Sequence, residues 1–496
     1  MKISKNYEMH FAVLVLAALG VYLVLQSAFM PFSRDGVIST DTGVWLQIAR
    51  EMSEGRMVYR DLFDHKGPLL FLLYSLFFRA GGTTGVWLLQ CLLLAVTITA
   101  AYWCVRKLVA NRIAAAYAVM GAVLGRNIFG GEDFPIEEAA LPFLMLSLFV
   151  FVSYLCDDKR TIRPKEIVLL GLCMGSVLCL RPNLIALWAV FVPAVFLEGV
   201  CAKRYKEMLL CAGCFTAGAA AVIALLCVWL QCGGALSACW EEAVRFNFLY
   251  VGKSDSLSRI RVFLEFFFHP LQFACICLNL YLFLRKKELR LLYGSNLLYI
   301  LLNLILASMS GVNYRNYEIA LIPGFVLPLA GGIGDLWNFL ERRKGRRGFL
   351  SPFWVITLML FLLYGNGGGF YGLKKIYYNV QITGEERENL EMMRFIGENT
   401  AEEEKITVLG NVAYIYLGTG RCSATEFIYT YPVCEMSGEL GGRFLEQMET
   451  AEPPFVVVKE GWFEEPVPFR KKIETLIEKN YVNVMETGDF IVYERL

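Results

Sequence analysis

Charged side chains are scarce in this chain of 496 residues: Asp, Glu, Lys and Arg make up 19% of it, whereas hydrophobic residues make up 56%. Roughly a quarter of a soluble globular protein is charged, so the low value argues against that class. Apolar runs close to the ~20 residues needed to cross hydrocarbon recur along the chain. The composition therefore predicts a polytopic membrane protein whose spans are α-helices, since a helix satisfies its own backbone in lipid.

Several patterns that indicate other classes are also missing. No small-residue cleavage site precedes Pro31, so the first apolar run, His10–Met30, is predicted to be a membrane anchor rather than a signal peptide. The one CxxC pair, Cys211 and Cys214, has no second ligand pair near it, which leaves a zinc site unsupported. The basic loops show no aromatic interleaving, so no nucleic-acid partner is expected.

About eleven apolar segments are candidates for transmembrane helices. Every second loop between them is basic, from Arg106 and Lys107 to the run around Arg342. Because positive charge collects on the cytoplasmic side, we expect a multi-pass protein of the cytoplasmic membrane with a cytoplasmic N-terminus and an extracytoplasmic C-terminus. The segments are 10–30, 84–105, 113–128, 138–156, 166–181, 183–199, 207–231, 263–284, 291–309, 317–337 and 350–366.

The first predicted outer segment, 31–67, is rich in polar residues between two apolar stretches. Within it, Thr42–Glu54 has helical periodicity, and Thr40 or Asp41 is placed to cap that helix. Asp41 is therefore either a capping residue or a functional acid. The run Pro68–Phe78 is too short to span and is predicted to be an interfacial helix. The segment carries Asp35, Asp41, Asp61, Asp64, His65 and Lys66.

Later outer segments add further charges at the same membrane face. Glu132, Asp133, Glu137 and Glu138 lie within seven residues before an apolar helix, where acids also favour a helix start. The loop 232–262 is aromatic and basic, typical of a lipid headgroup contact or of an aromatic belt. Ionised groups near lipid are costly and are functional candidates by default. The remaining candidates at this face are Arg181, Tyr314, Arg315 and Tyr317.

The C-terminal part, 367–496, has the composition of a soluble domain that follows a Gly-rich linker at 364–372. Its pattern predicts helices at 385–398 and 469–480, strands at 405–409 and 455–459, and a closing hairpin over 481–494. This alternation favours a small α/β domain. It lacks a phosphate-binding glycine motif, and it either binds an acceptor or partner or covers the outer face. Two outer cysteine pairs are candidates for disulfides: Cys232 with Cys239, and Cys422 with Cys434.

Four stretches of these outer segments resemble a known group, the GT-C class of membrane glycosyltransferases. Within that class the chain looks like the family 39-like branch related to protein O-mannosyltransferases and the aminoarabinose lipid A transferase. The resemblance covers roughly 10–340. It is carried by DTGVWLQIAREMSEGRMVYRDLFDHKGPLL at 41–70, EDFPIEEAALPF at 132–143, LRPN at 180–183 and NYRNYEIALIP at 313–323.

The resemblance implies an all-α GT-C-like membrane domain over 1–366, a polyprenyl-phosphate-linked sugar as donor, and inverting transfer at the outer face. Asp41 matches the presumed catalytic base. Glu137 or Glu138 matches the second-loop acid, which positions the first loop or binds a divalent metal ion together with Asp41. The chain departs from many relatives at Asn316, where they carry His, and in its second loop, which has fewer Asn and Thr. The implied donor-phosphate ligands are Lys66, His65, Tyr314, Arg315, Tyr317 and Arg181.

These observations lead to one expected function and one main competitor. The expected function is transfer of a sugar from polyprenyl phosphate to a hydroxyl of a glycan, lipid or protein acceptor. The competitor is a transporter or flippase of lipid-linked sugars. Transporters usually show internal repeats and polar groups near the bilayer midplane, whereas this chain has no evident repeat and keeps its charges at one surface. A third possibility is a non-catalytic assembly or anchoring protein, but that function does not explain the acidic residues of the outer loops.

Overall fold

The computed structural model describes most of the chain. Asp35, Glu132 and Asp133, together with most of the predicted segment 350–366 and of the linker, lie outside the described residues. The described residues are 5–31, 40–130, 134–161, 163–248, 255–343, 355–357, 359–360, 370–381, 384–464 and 467–496.

The part before residue 344 is helical in all its regular elements that the structure describes. Short 3₁₀ or π-helical segments join some of them, among them Trp240–Arg245 and Arg315–Leu321. The α-helices are α1 (Lys5–Val24), α2 (Thr40–Ser53), α3 (Pro68–Arg106), α4 (Arg112–Val123), α5 (Gly125–Ile128), α6 (Ile136–Leu155), α7 (Pro164–Leu180), α8 (Ala186–Cys201), α9 (Tyr205–Cys232), α10 (Leu236–Cys239), α11 (Ser256–Phe267), α12 (Pro270–Arg285), α13 (Arg290–Ser308) and α14 (Ile322–Arg343).

The predicted multi-span membrane architecture is confirmed. Ten of the eleven predicted segments coincide with helices. Among the described residues, six helices are long and apolar enough to cross a membrane, or seven if the bent pair α11 and α12 forms one span. The helices α4, α7 and α8 fall short because each has fewer than 18 residues.

The helix α3 begins at Pro68, where a proline costs no hydrogen bond, and it is broken at Gly81 and Gly82. Gly82 has φ +61°, a conformation that favours glycine. The break separates the predicted interfacial helix from the spanning part of α3.

The helices α7 and α9 pack closely against each other. A Cβ atom on Gly171 would lie 2.1 Å from the carbonyl oxygen of Phe215, and one on Gly218 would lie 2.4 Å from that of Val168. Gly171 and Gly175 form a GxxxG pattern, which lets helix backbones approach closely within lipid. This contact sets the position of Arg181, which follows the last residue of α7.

Buried amides connect three other helices. Asn296 on α13 donates to Asn279 on α12 at 2.9 Å and to the carbonyl of Gly324 on α14 at 2.9 Å. Both asparagine side chains are fully buried. Such hydrogen bonds stabilise helix association where lipid provides no hydrophobic driving force.

The C-terminal domain contains a five-stranded sheet of order β2-β1-β3-β5-β4. β1 pairs in parallel with β2 and β3, while β5 pairs antiparallel with β3 and β4. The predicted α/β class and its closing hairpin are confirmed. The strands are β1 (Lys405–Leu409), β2 (Cys422–Ser423), β3 (Phe455–Lys459), β4 (Tyr481–Glu486) and β5 (Phe490–Arg495); the helices are α15 (Phe370–Asn379), α16 (Gly384–Glu398), α17 (Tyr414–Thr419), α18 (Val433–Met436), α19 (Gly438–Ala451) and α20 (Pro468–Asn480).

This domain docks on the first outer segment, and Arg56 is central to the contact. Its guanidinium pairs with the fully buried Glu51 and donates to the carbonyls of Ser423 at 3.2 Å and Thr425 at 3.3 Å. The other Glu51 oxygen accepts from the backbone N–H of Ser423 at 3.0 Å. The N–H of Phe63 also donates to the carbonyl of Glu426 at 2.8 Å. The outer segment and the segment 423–426 therefore share one hydrogen-bond network.

The predicted cysteine pairs are not bonded. Cys232 is exposed and Cys239 is buried; Cys422 is half-buried and Cys434 is buried, and all fifteen cysteines are free thiols. Instead of pairing, the Cys422 thiol lies against Glu54, with Sγ 2.9 Å from the carboxylate.

Replacing Arg56 by Ala is expected to lower the stability of the full chain by about 2–4 kcal/mol, because it leaves the buried Glu51 carboxylate without its cation. Thermal unfolding in detergent, together with proteolysis of the C-terminal domain, measures this. Arg245→Ala is the matched control: its partner Glu241 is exposed, and such surface pairs contribute at most about 1 kcal/mol. Equal effects of the two variants would contradict the docking role of Arg56.

Candidate functional site

Five segments of the bundle meet at the end that carries the C-terminal domain. They are the start of α2, the turn before α3, the start of α6, the end of α7 and the 3₁₀ segment Arg315–Leu321. Each is a junction between helices, so its polar groups lie outside the apolar part of the bundle. The ends of helices also leave unpaired backbone groups that attract polar partners.

Asp41 lies in the first turn of α2, and its side chain is exposed. Its charge acts on Asp64, on Arg181 and on Tyr429 of the C-terminal domain, which places it near all three. Asp41 is thus a solvent-accessible acid within electrostatic range of Arg181.

Arg181 is held by two side chains from two other segments. Its guanidinium forms an ion pair with the fully buried Glu137 at the start of α6. It also stacks on the ring of Tyr317, 3.9 Å from the ring centre. Asn316 donates to the second oxygen of Glu137 at 3.1 Å, so the acid is held on both sides. The stacking and the ion pair together fix the orientation of the cation.

Lys66 lies in a chain of contacts that ends in the C-terminal domain. Its Nζ is 2.9 Å from Nε2 of His65, and Nδ1 of the same ring is 2.9 Å from the hydroxyl of Tyr429. Burial, then the charges of Lys66 and Arg181, hold the pKa of His65 well below its usual value. The ring is therefore neutral, so Nε2 accepts from the ammonium and Nδ1 donates to Tyr429.

Gly67 brings Lys66 and Arg181 together. Its N–H donates to the carbonyl of Leu180 at 3.2 Å. A Cβ atom at this position would lie 2.2 Å from the carbonyl oxygen of Cys179, so only glycine allows this approach. Lys66 also lies within electrostatic range of Glu137. The close backbone contact therefore places two cations around one buried acid.

Two further acids lie behind the first outer segment. Asp64 is buried and accepts from the N–H of Lys66 at 2.8 Å, while its own N–H donates to Glu242 at 3.2 Å. Burial raises the pKa of Asp64 from 3.8 to about 6; Lys66 opposes this shift and Asp41 adds to it. Burial also raises the pKa of Glu242 from 4.5 to about 9, with repulsion from Glu426 and Asp64. Glu242 is therefore protonated at neutral pH.

Of the other predicted site residues, Glu138 and Arg315 interact with different partners, and Tyr314 contacts the group only through Tyr317. Glu138 is fully buried and is bound by Arg126 at 2.7 Å and Gln90 at 3.1 Å, away from Arg181. Arg315 is exposed, and its charge acts on Glu318 and His269. Tyr314 is half-exposed and packs on Tyr317 with ring centres 5.2 Å apart. The structure thus brings together Asp41, Lys66, His65, Glu137, Arg181 and Tyr317.

The described residues do not suit a divalent metal ion. No three His, Cys, Asp or Glu side chains among them cluster as ligands. Each of the two acids forms an ion pair with an arginine: Glu137 with Arg181, and Glu138 with Arg126. Cations at ligand distance from both acids are unfavourable for Mg²⁺ or Mn²⁺ binding.

Sequence reasoning missed Tyr429, Glu242 and Asn316 as parts of this site. Asn316, where many sequences of the family 39-like branch carry His, holds Glu137. Glu242 lies in the amphipathic loop 232–262. Its position close to aromatic residues is the sequence feature that could have identified it as a site residue. Tyr429 is separated from His65 by 364 positions, so no local pattern could indicate the contact.

The family of the chain follows from a match that spans its membrane part. Residues 3–371 match the family described as competence-induced protein Ccs4 N-terminal domain. The chain belongs to this family. No curated protein matches the chain. The C-terminal sheet lies beyond the matched residues, so the Ccs4 N-terminal domain family corresponds to the helical bundle and its outer loops.

Solved structures share the fold of the whole chain. ArnT from Cupriavidus metallidurans, bound to undecaprenyl phosphate, is 14% identical, with a TM-score of 0.60 over 98% of both chains. The oligosaccharyltransferase of Archaeoglobus fulgidus, tethered to an acceptor peptide, is 13% identical, with a TM-score of 0.53 over 98% of this chain and 74% of its own. This Ccs4-family protein therefore has a GT-C-like fold and is a multi-pass integral membrane protein.

The protonated state of Glu242 predicts how stability depends on pH. The folded chain binds this proton more tightly than the unfolded chain does, so stability falls as pH rises from about 4.5 to about 9. Glu242→Gln keeps an oxygen that can accept from the N–H of Asp64 and removes the ionisation. We expect the variant to lose part of that decline in thermal stability measured across this pH range.

The neighbouring residue provides the control for this prediction. Glu241 is exposed and pairs with Arg245, so Glu241→Gln should leave the pH profile unchanged. A profile that Glu242→Gln does not alter would show that Glu242 is ionised in the folded chain.

Proposed function

We propose that this Ccs4-family protein is an inverting membrane glycosyltransferase of the family 39-like type. It transfers a sugar from a polyprenyl-phosphate donor to an acceptor hydroxyl at the outer face of the cytoplasmic membrane. The fold supports this proposal, because ArnT is bound to undecaprenyl phosphate and an archaeal oligosaccharyltransferase of similar fold is in complex with a dolichol-phosphate. The sugar is a hexose or pentose, and the acceptor is a glycan, a lipid or a protein.

The observation that carries the proposal is the exposed Asp41 within electrostatic range of the fixed Arg181. An acid that only capped a helix would not need a guanidinium held in place by Glu137 and stacked on Tyr317. Lys66 approaches the same buried acid from the turn before α3. An accessible carboxylate next to two oriented cations can bind a phosphate and receive a proton at adjacent positions.

The chemistry assigns one role to each group. Asp41 takes the proton from the acceptor hydroxyl as its oxygen attacks the anomeric carbon of the sugar. The bond between that carbon and the phosphate oxygen breaks, and the polyprenyl phosphate leaves with the electron pair. Arg181 and Lys66 stabilise the negative charge that develops on the leaving phosphate. His65, neutral and bound to Tyr429, positions Lys66 without adding a third cation.

The C-terminal domain takes part in this proposal through Tyr429. Its hydroxyl holds His65, and the docking network around Arg56 holds the first outer segment that carries both Asp41 and Lys66. The domain and the outer loops must therefore lie on one side of the membrane. The basic loops at the other end of the bundle support a cytoplasmic N-terminus by the positive-inside rule.

Asp41→Asn is expected to lower transfer of sugar from a polyprenyl-phosphate donor by about 10²–10⁴-fold, the usual contribution of a general base. Purified protein in detergent, radiolabelled donor and separation of product from lipid provide the measurement. Asp255→Asn is the matched control, because Asp255 is an exposed outer cap whose role asparagine fills equally well.

Two outcomes would contradict the proposed function. Transfer that is unaffected by Asp41→Asn would remove the general base from the mechanism. Movement of the lipid-linked sugar across liposome membranes without any release of the sugar would favour the flippase.

A further inference from the structure

The C-terminal domain carries a polar cleft that is lined in part by Tyr431, two residues after Tyr429. The cleft has a volume of ≈ 400 Å³, within the range of about 300–1,000 Å³ of small-molecule sites. Its lining comes from the ends of two adjacent strands and from two segments that pack against them: Gly410, Asn411, Tyr431, Lys459, Glu460, Gly461, Trp462 and Arg470.

The cleft lies where the topology of the sheet favours a ligand site. β1 and β3 are parallel neighbours, and Gly410 and Glu460 directly follow their last residues. After β1 the chain continues to β2 on one side of this strand pair, whereas after β3 it continues to β4 on the other side. The two connections therefore leave in opposite directions at this point. Open α/β sheets bind ligands in the crevice outside the carboxyl ends of strands at such a switch point.

Tyr431 is fixed in this cleft and remains available to a ligand. The Asn411 side chain donates to the carbonyl of Tyr431 at 2.7 Å and accepts from its N–H at 3.2 Å. The Arg470 guanidinium lies 6.0 Å from the Tyr431 ring centre on one side and 5.1 Å from that of Trp462 on the other. Tyr431 nevertheless stays 50% exposed, so an aromatic surface is held open at the cleft.

Charge at the cleft is balanced, which argues against an anionic ligand. Lys459 and Glu460 are adjacent exposed residues of opposite sign. The buried Arg470 is already paired with Glu435 at 2.7 Å and donates to the carbonyl of Trp462 at 2.7 Å. The cleft thus offers both donors and acceptors without a net charge.

The indole N–H of Trp462 is a further sign of a ligand. Trp462 is only 6% exposed, and its Nε1 has no hydrogen-bond partner among the described residues. Buried donors are normally paired, because leaving one unpaired costs about 1–3 kcal/mol. A hydroxyl oxygen at the bottom of the cleft would satisfy it.

From these features we infer that the cleft binds a neutral carbohydrate. An open tyrosine ring suits the apolar face of a sugar, while Asn411, Lys459 and Glu460 suit its hydroxyl groups. Tyr431 is two residues from Tyr429, so their Cα atoms are at most about 7 Å apart. Resting on the proposed function, the cleft is then a subsite for a glycan acceptor whose reacting end reaches toward Asp41.

Titration of the full-length protein in detergent with maltotriose and triacetylchitotriose, followed by saturation-transfer NMR, tests this inference. At least one trisaccharide should bind saturably. Tyr431→Ala should weaken that binding about 3- to 10-fold through loss of the ring contact, and Tyr431→Phe should retain it. Tyr377→Ala is the matched control, because Tyr377 is similarly exposed at 56% and does not line the cleft.

The outcomes separate this inference from the proposed function. Asp41→Asn should leave trisaccharide binding unchanged while transfer is lost. Failure of the wild-type protein to bind either sugar at millimolar concentration, or saturable binding of inorganic phosphate at Tyr431 instead, would overturn the carbohydrate site. Transfer could still be observed in that case. Conversely, sugar binding without any transfer would uphold the site and reject the glycosyltransferase.

Discussion

The ion pair between Glu137 and Arg181 is the interaction on which the candidate site depends. Glu137 is fully buried at the start of a membrane helix, and an isolated carboxylate there would be very costly. Its cation comes from the end of another helix, whose position is set by glycine contacts between α7 and α9. The buried acid therefore fixes where Arg181 lies, and the tight turn at Gly67 brings Lys66 to the same place.

The C-terminal domain completes this arrangement from the outside. It does so through hydrogen bonds from Arg50, Arg56 and Gln47 to its backbone. The buried ring of Phe63 also packs on Phe427 of the domain, with ring centres 5.3 Å apart. Because these bonds involve buried groups, losing one partner leaves another unsatisfied. In the C-terminal domain, Tyr429 contacts the His65 ring and Tyr431 lines the cleft. One short segment of the domain therefore connects the two sites.

The sequence predicted the membrane class, most helices and the sheet, because hydropathy and periodicity are local signals. It also predicted that Asp41, Lys66, Glu137 and Arg181 belong to one face, since alternating loops share a side of the membrane. It could not choose between Glu137 and Glu138. Adjacent residues on a helix point about 100° apart, so one acid faces Arg181 and the other Arg126, and only helix packing decides which.

Contacts between positions far apart in the chain could not be predicted from local sequence patterns. The Tyr429 contact with His65 joins positions hundreds of residues apart, and the domain that supplies it has no motif of its own. The disulfide expectation was wrong because spacing within outer segments says nothing about distance: Cys422 instead faces Glu54.

A cryo-EM structure of the full chain with polyprenyl phosphate would test the central claim most directly. The account predicts phosphate density within hydrogen-bond distance of Arg181 and Lys66, with the Asp41 carboxylate facing the open side of that phosphate. A phosphate bound at the opposite end of the bundle, or an Asp41 side chain turned away from Arg181, would contradict it.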